Sequence, residues 1–307
     1  MKERQILLFK VIETLEAIGY ICSDSCFLGN TCLDFLARKN GKLLIIKVIS
    51  NIDSITESQA AEMLKLASLF GASPVIIGKK RRLGSLEDNV VYNRKGIYAL
   101  SLITFSRALD GELPSAESDR GGYFVNLDHE ALMGMRKELK MSRKKIAESA
   151  GITPRMLYDY ERDKSKASLK VAVKLEKFFN TKISIGIDIF SVPEIPEDIN
   201  SSKSSLLNRL ALLGFDVFPA KKAPFSGIIK EKKEIIITRK FTLPVKLIKN
   251  KIALLKSIAE TAETGAFIVS REKHKNIFGL PNIKEKEIKE MKEASDLFEI
   301  IEEHTAD

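Results

Sequence analysis

The chain has 307 residues, of which 44% are hydrophobic and 30% charged, a balance typical of water-soluble globular domains. No apolar run reaches the ~18 residues that a membrane span requires, and charges interrupt the N-terminal segment, so we expect neither a membrane segment nor a signal peptide. The odd number of cysteines, Cys22, Cys26 and Cys32, argues against a disulfide framework, and their C-x3-C-x5-C spacing is not a standard zinc pattern. We expect buried or strand-lining thiols, with metal binding or redox sensing as the alternative. These features predict a cytoplasmic protein.

The positive charge is concentrated in one part of the chain. The formal net charge is +9, and residues 127–182 carry 14 Lys and Arg against eight Asp and Glu. The segments before and after this region are close to neutral. A local excess of this kind is expected where a protein contacts the phosphates of nucleic acid.

The first part of the chain predicts an alternation of helices and strands in the order αβββαβ. Asn40-Gly41 indicates a hairpin turn, Ser54 is the expected cap of the second helix, and Gly71 its end. The predicted elements are a helix over 3–18, strands over 20–23, 32–38 and 42–49, a helix over 54–70 and a strand over 74–78. The basic run 79–82 follows as either a solvated loop or a contact to DNA backbone.

Two polar segments with proline, glycine or serine, 110–122 and 188–205, are predicted to be linkers. They divide the chain into segments 1–109, 123–187 and 206–307. The third segment repeats the element order of the first, with a helix, a strand, a hairpin, a helix and a final strand. We therefore predict an internal duplication, and the first and third segments are called the first copy and the second copy.

Residues 139–163 between the copies have the pattern of two short crossed helices. Ser142 is placed to cap one helix, Gly151 to form the turn, and Thr153 to cap the next helix, with Pro154 in its first turn. Leu157 and Tyr160 fall on one face of the predicted helix 153–162. Its other face is polar and basic, as expected of a helix that reads DNA.

Segment 127–182 resembles the lambda-repressor/Cro family of helix-turn-helix domains in Met141-Ser142, Ile146-Ala147, Gly151-Ile152-Thr153 and Tyr160-Glu161-Arg162. Asp163 departs from the glycine that many members have. The resemblance implies that helix 153–162 enters the major groove, with Arg155 as the candidate for a bidentate guanine contact. The predicted DNA-contacting residues are Arg143, Thr153, Pro154, Arg155, Met156, Asp159, Arg162, Lys164 and Lys166.

The αβββαβ order of helices and strands in each flanking copy resembles the restriction-endonuclease-like, PD-(D/E)xK fold. That family holds a divalent metal on an Asp and a following (D/E)-x-K triplet. Asp34 and Lys47 occupy two of these positions, but Ile45 stands where the second acid belongs. In the second copy the matching positions are Gly227 and Ile237-Thr238-Arg239. No catalytic or metal-ligating residue is therefore predicted, and a charged Asp34–Lys47 pair, a remnant phosphate-binding surface and a site completed by Glu57 or Glu62 stay open.

The predicted fold class is α/β plus all-α: two αβββαβ restriction-endonuclease-like domains flank a helical lambda-repressor-like DNA-binding domain. This arrangement resembles an archaeal family of helix-turn-helix regulatory proteins of about this length. We predict a sequence-specific transcriptional regulator that binds double-stranded DNA as a homodimer on half-sites ~34 Å apart, without a cofactor, enzymatic activity or membrane partner. The alternatives are a metal-dependent nuclease guided by the helix-turn-helix and an antitoxin-like interaction adaptor.

Overall fold

The computed structural model describes residues 2–26, 30–194, 204–272 and 274–306. The helices are α1 Lys2–Ala17, α2 Glu57–Phe70, α3 Leu102–Leu109, α4 His129–Glu138, α5 Arg143–Ala150, α6 Pro154–Tyr160, α7 Leu169–Phe179, α8 Ser205–Leu212, α9 Val245–Ala262, α10 Glu285–Glu290 and α11 Ala294–Ala306. Within the described ranges, no helix is both long and apolar enough to cross a membrane.

The strands range from two residues in β1 to ten residues in β3. They are β1 Ile21–Cys22, β2 Phe35–Lys39, β3 Lys42–Asn51, β4 Ser73–Arg81, β5 Gly84–Ser85, β6 Val90–Arg94, β7 Ile97–Leu100, β8 Ala116–Asp119, β9 Gly122–Val125, β10 Ala167–Ser168, β11 Asp216–Pro219, β12 Gly227–Glu231, β13 Glu234–Lys240, β14 Gly265–Val269, β15 Asn276–Ile277 and β16 Leu280–Ile283.

The chain forms two compact units. The first unit consists of Met1–Val48, Ser54–Val75 and Phe190–Asp307, and the second unit of Ile49–Asp53 and Ile76–Ile189. The units do not coincide with segments 1–109, 123–187 and 206–307, whose boundaries stay a prediction.

The first unit holds two sheets that begin in the same way. One runs β1-β2-β3-β4, and the other runs β11-β12-β13-β14-β16-β15. In both, the first three strands are antiparallel; in the second, β13, β14 and β16 are parallel. In the strand order, β7 and β6 follow β4 as β16 and β15 follow β14. This shared order supports the predicted duplication.

The second copy builds a core of its own from every second residue of its strands and every third or fourth residue of its helices. Buried members are Leu206, Leu207, Leu210, Leu213, Phe215, Ile229, Ile236, Phe267, Val269, Ile283, Ile288, Met291 and Leu297. Gly227 belongs to this packing, because a β-carbon there would lie 2.8 Å from Leu207 Cδ2.

Within the first unit, the two copies bond directly to each other. The Arg38 guanidinium on β2 donates to the carbonyl oxygens of Thr261 at 2.7 Å and Ala262 at 2.8 Å, at the C-terminal end of α9. A cation at this end of a helix satisfies carbonyl groups that have no partner within the helix. Lys65 on α2 donates to the carbonyl of Pro219 on β11 at 2.5 Å.

The second unit joins the helix-turn-helix to a sheet. Strand β8 pairs with β6 and β9, and β10 pairs with β9 immediately before α7 begins. Leu127 forms a further antiparallel bridge with Ser184. The prediction that 110–122 is a linker is therefore wrong at β8, because its backbone groups are hydrogen-bonded in the sheet.

Several local predictions need correction. Helix α2 begins at Glu57, since Thr56 rather than Ser54 forms the capping box with Gln59. Strand β2 begins at Phe35, three residues later than predicted. The basic run is not a loop throughout, because β4 extends to Arg81. In the expected linker 188–205, residues 195–203 lie outside the described part of the chain, and α8 begins at Ser205.

Candidate nucleic-acid interface

The turn between α5 and α6 is built by the residues that the sequence indicates. Ser142 Oγ accepts from the Lys145 amide at 3.4 Å, and Thr153 Oγ1 accepts from the Met156 amide at 3.2 Å. Gly151 ends α5 at φ 71°, a left-handed conformation that costs glycine little. Pro154 occupies the first turn of α6, where its missing N–H leaves no bond unmade. The predicted capping and turn are confirmed.

The inner faces of these helices form a small apolar core. Ile146 and Ala147 on α5, Leu157 on α6, and Ala172 and Leu175 on α7 are fully buried. Because α6 is only seven residues long, this packing rather than its own hydrogen bonds holds it in place. The opposite face of α6 carries its polar residues.

Glu161, the C-cap residue of α6, is buried and holds two arginines. Its carboxylate accepts from Arg136 Nε at 2.5 Å and Nη2 at 3.1 Å, and from Arg143 Nε at 2.8 Å. Burial opposes ionisation, but the hydrogen bonds and charges of both arginines outweigh it, so the pKa of Glu161 lies below its ordinary value. This cluster fastens α4, α5 and the end of α6 together.

Tyr158 is the centre of the basic outer face. Its ring centroid lies 5.1 Å from the guanidinium carbon of Arg143, 5.2 Å from that of Arg155 and 5.4 Å from that of Arg162, with Lys164 Nζ at 5.7 Å. Sequence reasoning missed Tyr158. The signal was present, because Arg155 and Arg162 stand three residues before it and four after it in the sequence, a spacing that predicts one face of a helix. We call these five side chains the Tyr158 cluster.

The remaining predicted contacts differ in how available they are. Met156 is 41% exposed, and Thr153 and Pro154 are exposed at the start of α6. Arg155 Nε lies 3.4 Å from the Asp159 carboxylate, with the arginine side chain 74% exposed. Lys166 lies outside the Tyr158 cluster, and its Nζ is 2.8 Å from Glu117 on β8. The role of each residue toward DNA stays a prediction.

Asp163 shows why many helix-turn-helix domains have glycine at this step. Its φ is 52°, in the left-handed region, and Lys164 N donates to the Asp159 carbonyl at 2.9 Å. Aspartate and asparagine visit this region more readily than most other non-glycine residues. The departure from the family pattern therefore leaves the turn intact.

Asp34 and Lys47 form a buried ion pair in the first copy. Lys47 Nζ lies 3.0 Å from Asp34 Oδ1, and both side chains are at most 2% exposed. Arg4 Nη2 also reaches Oδ1, at 2.6 Å, and the Val48 amide donates to Oδ2 at 2.7 Å. The carboxylate is thus occupied by three donors from α1 and β3, and Ile45 is fully buried at the position of the missing acid.

The two neighbouring acids, Glu57 and Glu62, lie on α2. Glu62 lies 3.2 Å from Lys65, whereas Glu57 is exposed on the first turn of α2. Among the residues described, no group of three or more His, Cys, Asp or Glu side chains is arranged to hold a metal ion.

The register of the second copy corrects one sequence assignment. Asp34 N donates to the Ile46 carbonyl, and Ser226 N donates to the Thr238 carbonyl in the same way. Ser226, not Gly227, is therefore the counterpart of Asp34, and Arg239 remains the counterpart of Lys47. The Arg239 guanidinium bonds to the Pro224 carbonyl. Neither position supplies a carboxylate.

The crossed helices, the left-handed glycine turn and the basic outer face define a helix-turn-helix DNA-binding domain. The chain matches the family described as "Helix-turn-helix" over residues 132–185 and the family described as "PD-(D/E)XK superfamily domain" over residues 4–114. These matches confirm both domain classes predicted from the sequence.

Several relatives match along almost the whole chain. A "Putative HTH-type transcriptional regulatory protein" of Methanobrevibacter smithii is 35% identical over 99% of this chain and 98% of its own length. Proteins with that description from Methanothermobacter thermautotrophicus and Methanocaldococcus jannaschii are 34% and 32% identical, over 98% and 97% of this chain and 97% and 96% of their own lengths. The chain belongs to this archaeal family of HTH-type transcriptional regulatory proteins.

Proposed function

We propose that the protein is a cytoplasmic, sequence-specific transcriptional regulator that reads the major groove of double-stranded DNA with α6. The observation that carries the proposal is the Tyr158 cluster, in which four cationic side chains lie around one ring on the outer face of α6 and the turn after it. Cationic side chains gathered at the surface favour DNA binding, because each phosphate that they neutralise releases counterions condensed on the DNA.

Within this face, the residues at the start of α6 serve base recognition and those after it serve phosphate contact. Arg155 and Met156 are exposed at the N-terminal turn, which is the part of a recognition helix that faces base edges. Asp159 lies beside Arg155 and orients its guanidinium toward guanine. Arg143, Arg162 and Lys164 position the protein through the backbone.

We further propose that the protein acts as a homodimer. A single α6 of seven residues buries too little surface for tight specific binding, and two copies on half-sites ~34 Å apart would double the contact. Analytical ultracentrifugation with and without cognate duplex tests this; a 1:1 complex at saturation would contradict it.

The two nuclease-like copies contribute to folding and binding and do not act as enzymes. Asp34 is committed to three donors, and the second acid of the metal site is replaced by Ile45. Incubation with plasmid and branched DNA in Mg²⁺ or Mn²⁺ tests this statement. Cleavage that disappears in Asp34→Ala would overturn it.

The decisive experiment is binding-site selection from random duplex DNA with the full-length protein, repeated with Arg155→Ala. The wild type should enrich one motif, and the variant should lose ~1–3 kcal/mol of discrimination at one base pair while leaving the other positions unchanged. Asn208→Ala, on a helix of the second copy, is the control and should select the wild-type motif. No enrichment by the wild type would overturn the proposed function.

A further inference from the structure

A second basic element lies in the same unit as the helix-turn-helix. Strand β4 turns back into β5 through residues 79–85, which we call the basic hairpin, with Lys80 opposite Ser85 and Arg81 opposite Gly84. Lys79, Lys80 and Arg82 are exposed, and Leu83 at the tip is 81% exposed. Four consecutive basic residues, 79–82, therefore concentrate positive charge on one short β-hairpin.

The basic hairpin is anchored at its base. Arg81 Nη2 donates to Tyr123 Oη at 3.1 Å, and its guanidinium carbon lies 5.6 Å from the ring of Tyr92. On the other side, Asp53 accepts from the Arg82 amide at 2.6 Å and from Arg94 Nε at 2.7 Å. The side chain of Arg81 therefore anchors the hairpin, whereas the other three basic side chains are exposed.

The anchor connects the basic hairpin to the strands that carry the helix-turn-helix. Tyr123 belongs to β9, whose next residue, Phe124, pairs with Ser168 of β10. Strand β10 directly follows the turn after α6. Phe124 also pairs with Glu117 of β8, the residue that binds Lys166. The basic hairpin and the segment that follows α6 are thus attached to strands of the same sheet.

We infer that the basic hairpin is a second DNA-contacting element, which binds the sugar–phosphate backbone beside the site read by α6. This inference rests on the proposed function and adds a flanking contact to it. Lys79, Lys80 and Arg82 neutralise phosphates, and the exposed Leu83 packs on deoxyribose at the tip. Since each neutralised phosphate contributes ~0.9 to the dependence of log K on log salt, the hairpin contributes about 2–3 to that slope.

The test uses the full-length triple variant Lys79→Gln, Lys80→Gln, Arg82→Gln, which leaves the Arg81 anchor in place. The control is Lys232→Gln, Lys233→Gln, Lys251→Gln, which removes the same charge from exposed positions of the second copy. Affinities for the selected site are measured across a salt series, on a duplex limited to that site and on a longer duplex with flanking DNA. Hydroxyl-radical footprints are taken on the longer duplex.

The hairpin variant should select the same motif as the wild type, and its salt slope should be lower by about 2–3. It should lose backbone protection beside the site, and its affinity should be the same on the short and the longer duplex. The control should match the wild type in all four. A wild-type slope and footprint in the hairpin variant, or equal changes in both variants, would overturn the hairpin contact and leave the proposed function standing. Absence of specific binding by the wild type would instead remove both.

Discussion

Arg143 Nε lies 2.8 Å from Oε2 of Glu161, while the guanidinium carbon of the same arginine lies 5.1 Å from the ring of Tyr158. One side chain therefore belongs both to the buried ionic cluster that joins the helices and to the basic outer face. The orientation of the predicted DNA contact is consequently fixed before DNA arrives, which lowers the entropy lost on binding.

Glu161→Ala should destabilise the second unit by about 3 kcal/mol, because removal of one partner leaves Arg136 and Arg143 close together without compensation. Urea unfolding at neutral pH measures this. A change below the error of the method would show that the ionic cluster contributes nothing net.

Acid should weaken the same cluster in the wild type. The pKa of Glu161 is lowered in the folded protein from an ordinary value of about 4.5, so its contribution to stability is complete above that value and is lost as the pH falls below it. Urea unfolding between pH 6 and pH 3 should show a smaller acid loss in Glu161→Gln than in the wild type. Parallel curves would contradict the assignment.

Tyr158→Leu should weaken DNA binding about tenfold, since each exposed cation–π contact is worth ~0.5–1 kcal/mol and several are lost together. Tyr158→Phe keeps the ring and should bind nearly as well as the wild type. Fluorescence anisotropy with the selected duplex measures both. Equal losses in the two variants would point to the hydroxyl group instead of the ring.

Lys164 and Lys166 should differ although both follow the recognition helix. Lys164 belongs to the Tyr158 cluster, so Lys164→Ala should weaken all duplex sequences about equally and reduce the salt slope by about 1. Lys166 is bound to Glu117, and Lys166→Ala should have a smaller effect on the slope. Titrations on specific and random duplexes across a salt series compare them, and a larger effect at Lys166 would contradict the prediction.

Asp34→Ala should destabilise the first unit by ~3–5 kcal/mol, because Lys47 would remain buried without its carboxylate. Asp34→Ala combined with Lys47→Met should recover part of this loss, since no unpaired charge is left. Thermal and urea unfolding measure the double-mutant cycle. Simple additivity of the two substitutions would show that the pair is not energetically coupled.

The local features of the DNA-binding segment were predictable because they depend on neighbours in the sequence. Ser142, Gly151 and Thr153 act on amides within a few residues, so their spacing alone specifies the caps and the turn. The sequence pattern around Ile45 also sufficed to show that the second acid of the metal site is missing there. The register of the second copy was not predictable to one residue. The sequence pattern assigned Gly227 as the counterpart of Asp34, whereas the hydrogen bonds assign Ser226.

The features that were missed depend on distant partners. Strand β8 has a polar sequence and exists because it pairs with β6 and β9. The two-residue strand β10 is defined only by its bonds to β9, more than 40 residues earlier. Arg143 reaches the ring of Tyr158 from another helix, so the sequence spacing that indicates Arg155 and Arg162 does not indicate this contact. Such contacts require the fold before they can be recognised.

The bonds from Arg38 to the end of α9 join two copies of one architecture inside a single polypeptide. Association of these copies therefore cannot be reversed by dilution, and their stoichiometry is set by translation rather than by an equilibrium constant. Each copy can then change sequence independently, since neither face has to complement itself. Ser226 and Arg239 stand in the second copy where Asp34 and Lys47 stand in the first, a difference that a symmetric pair of identical chains cannot have on one side alone.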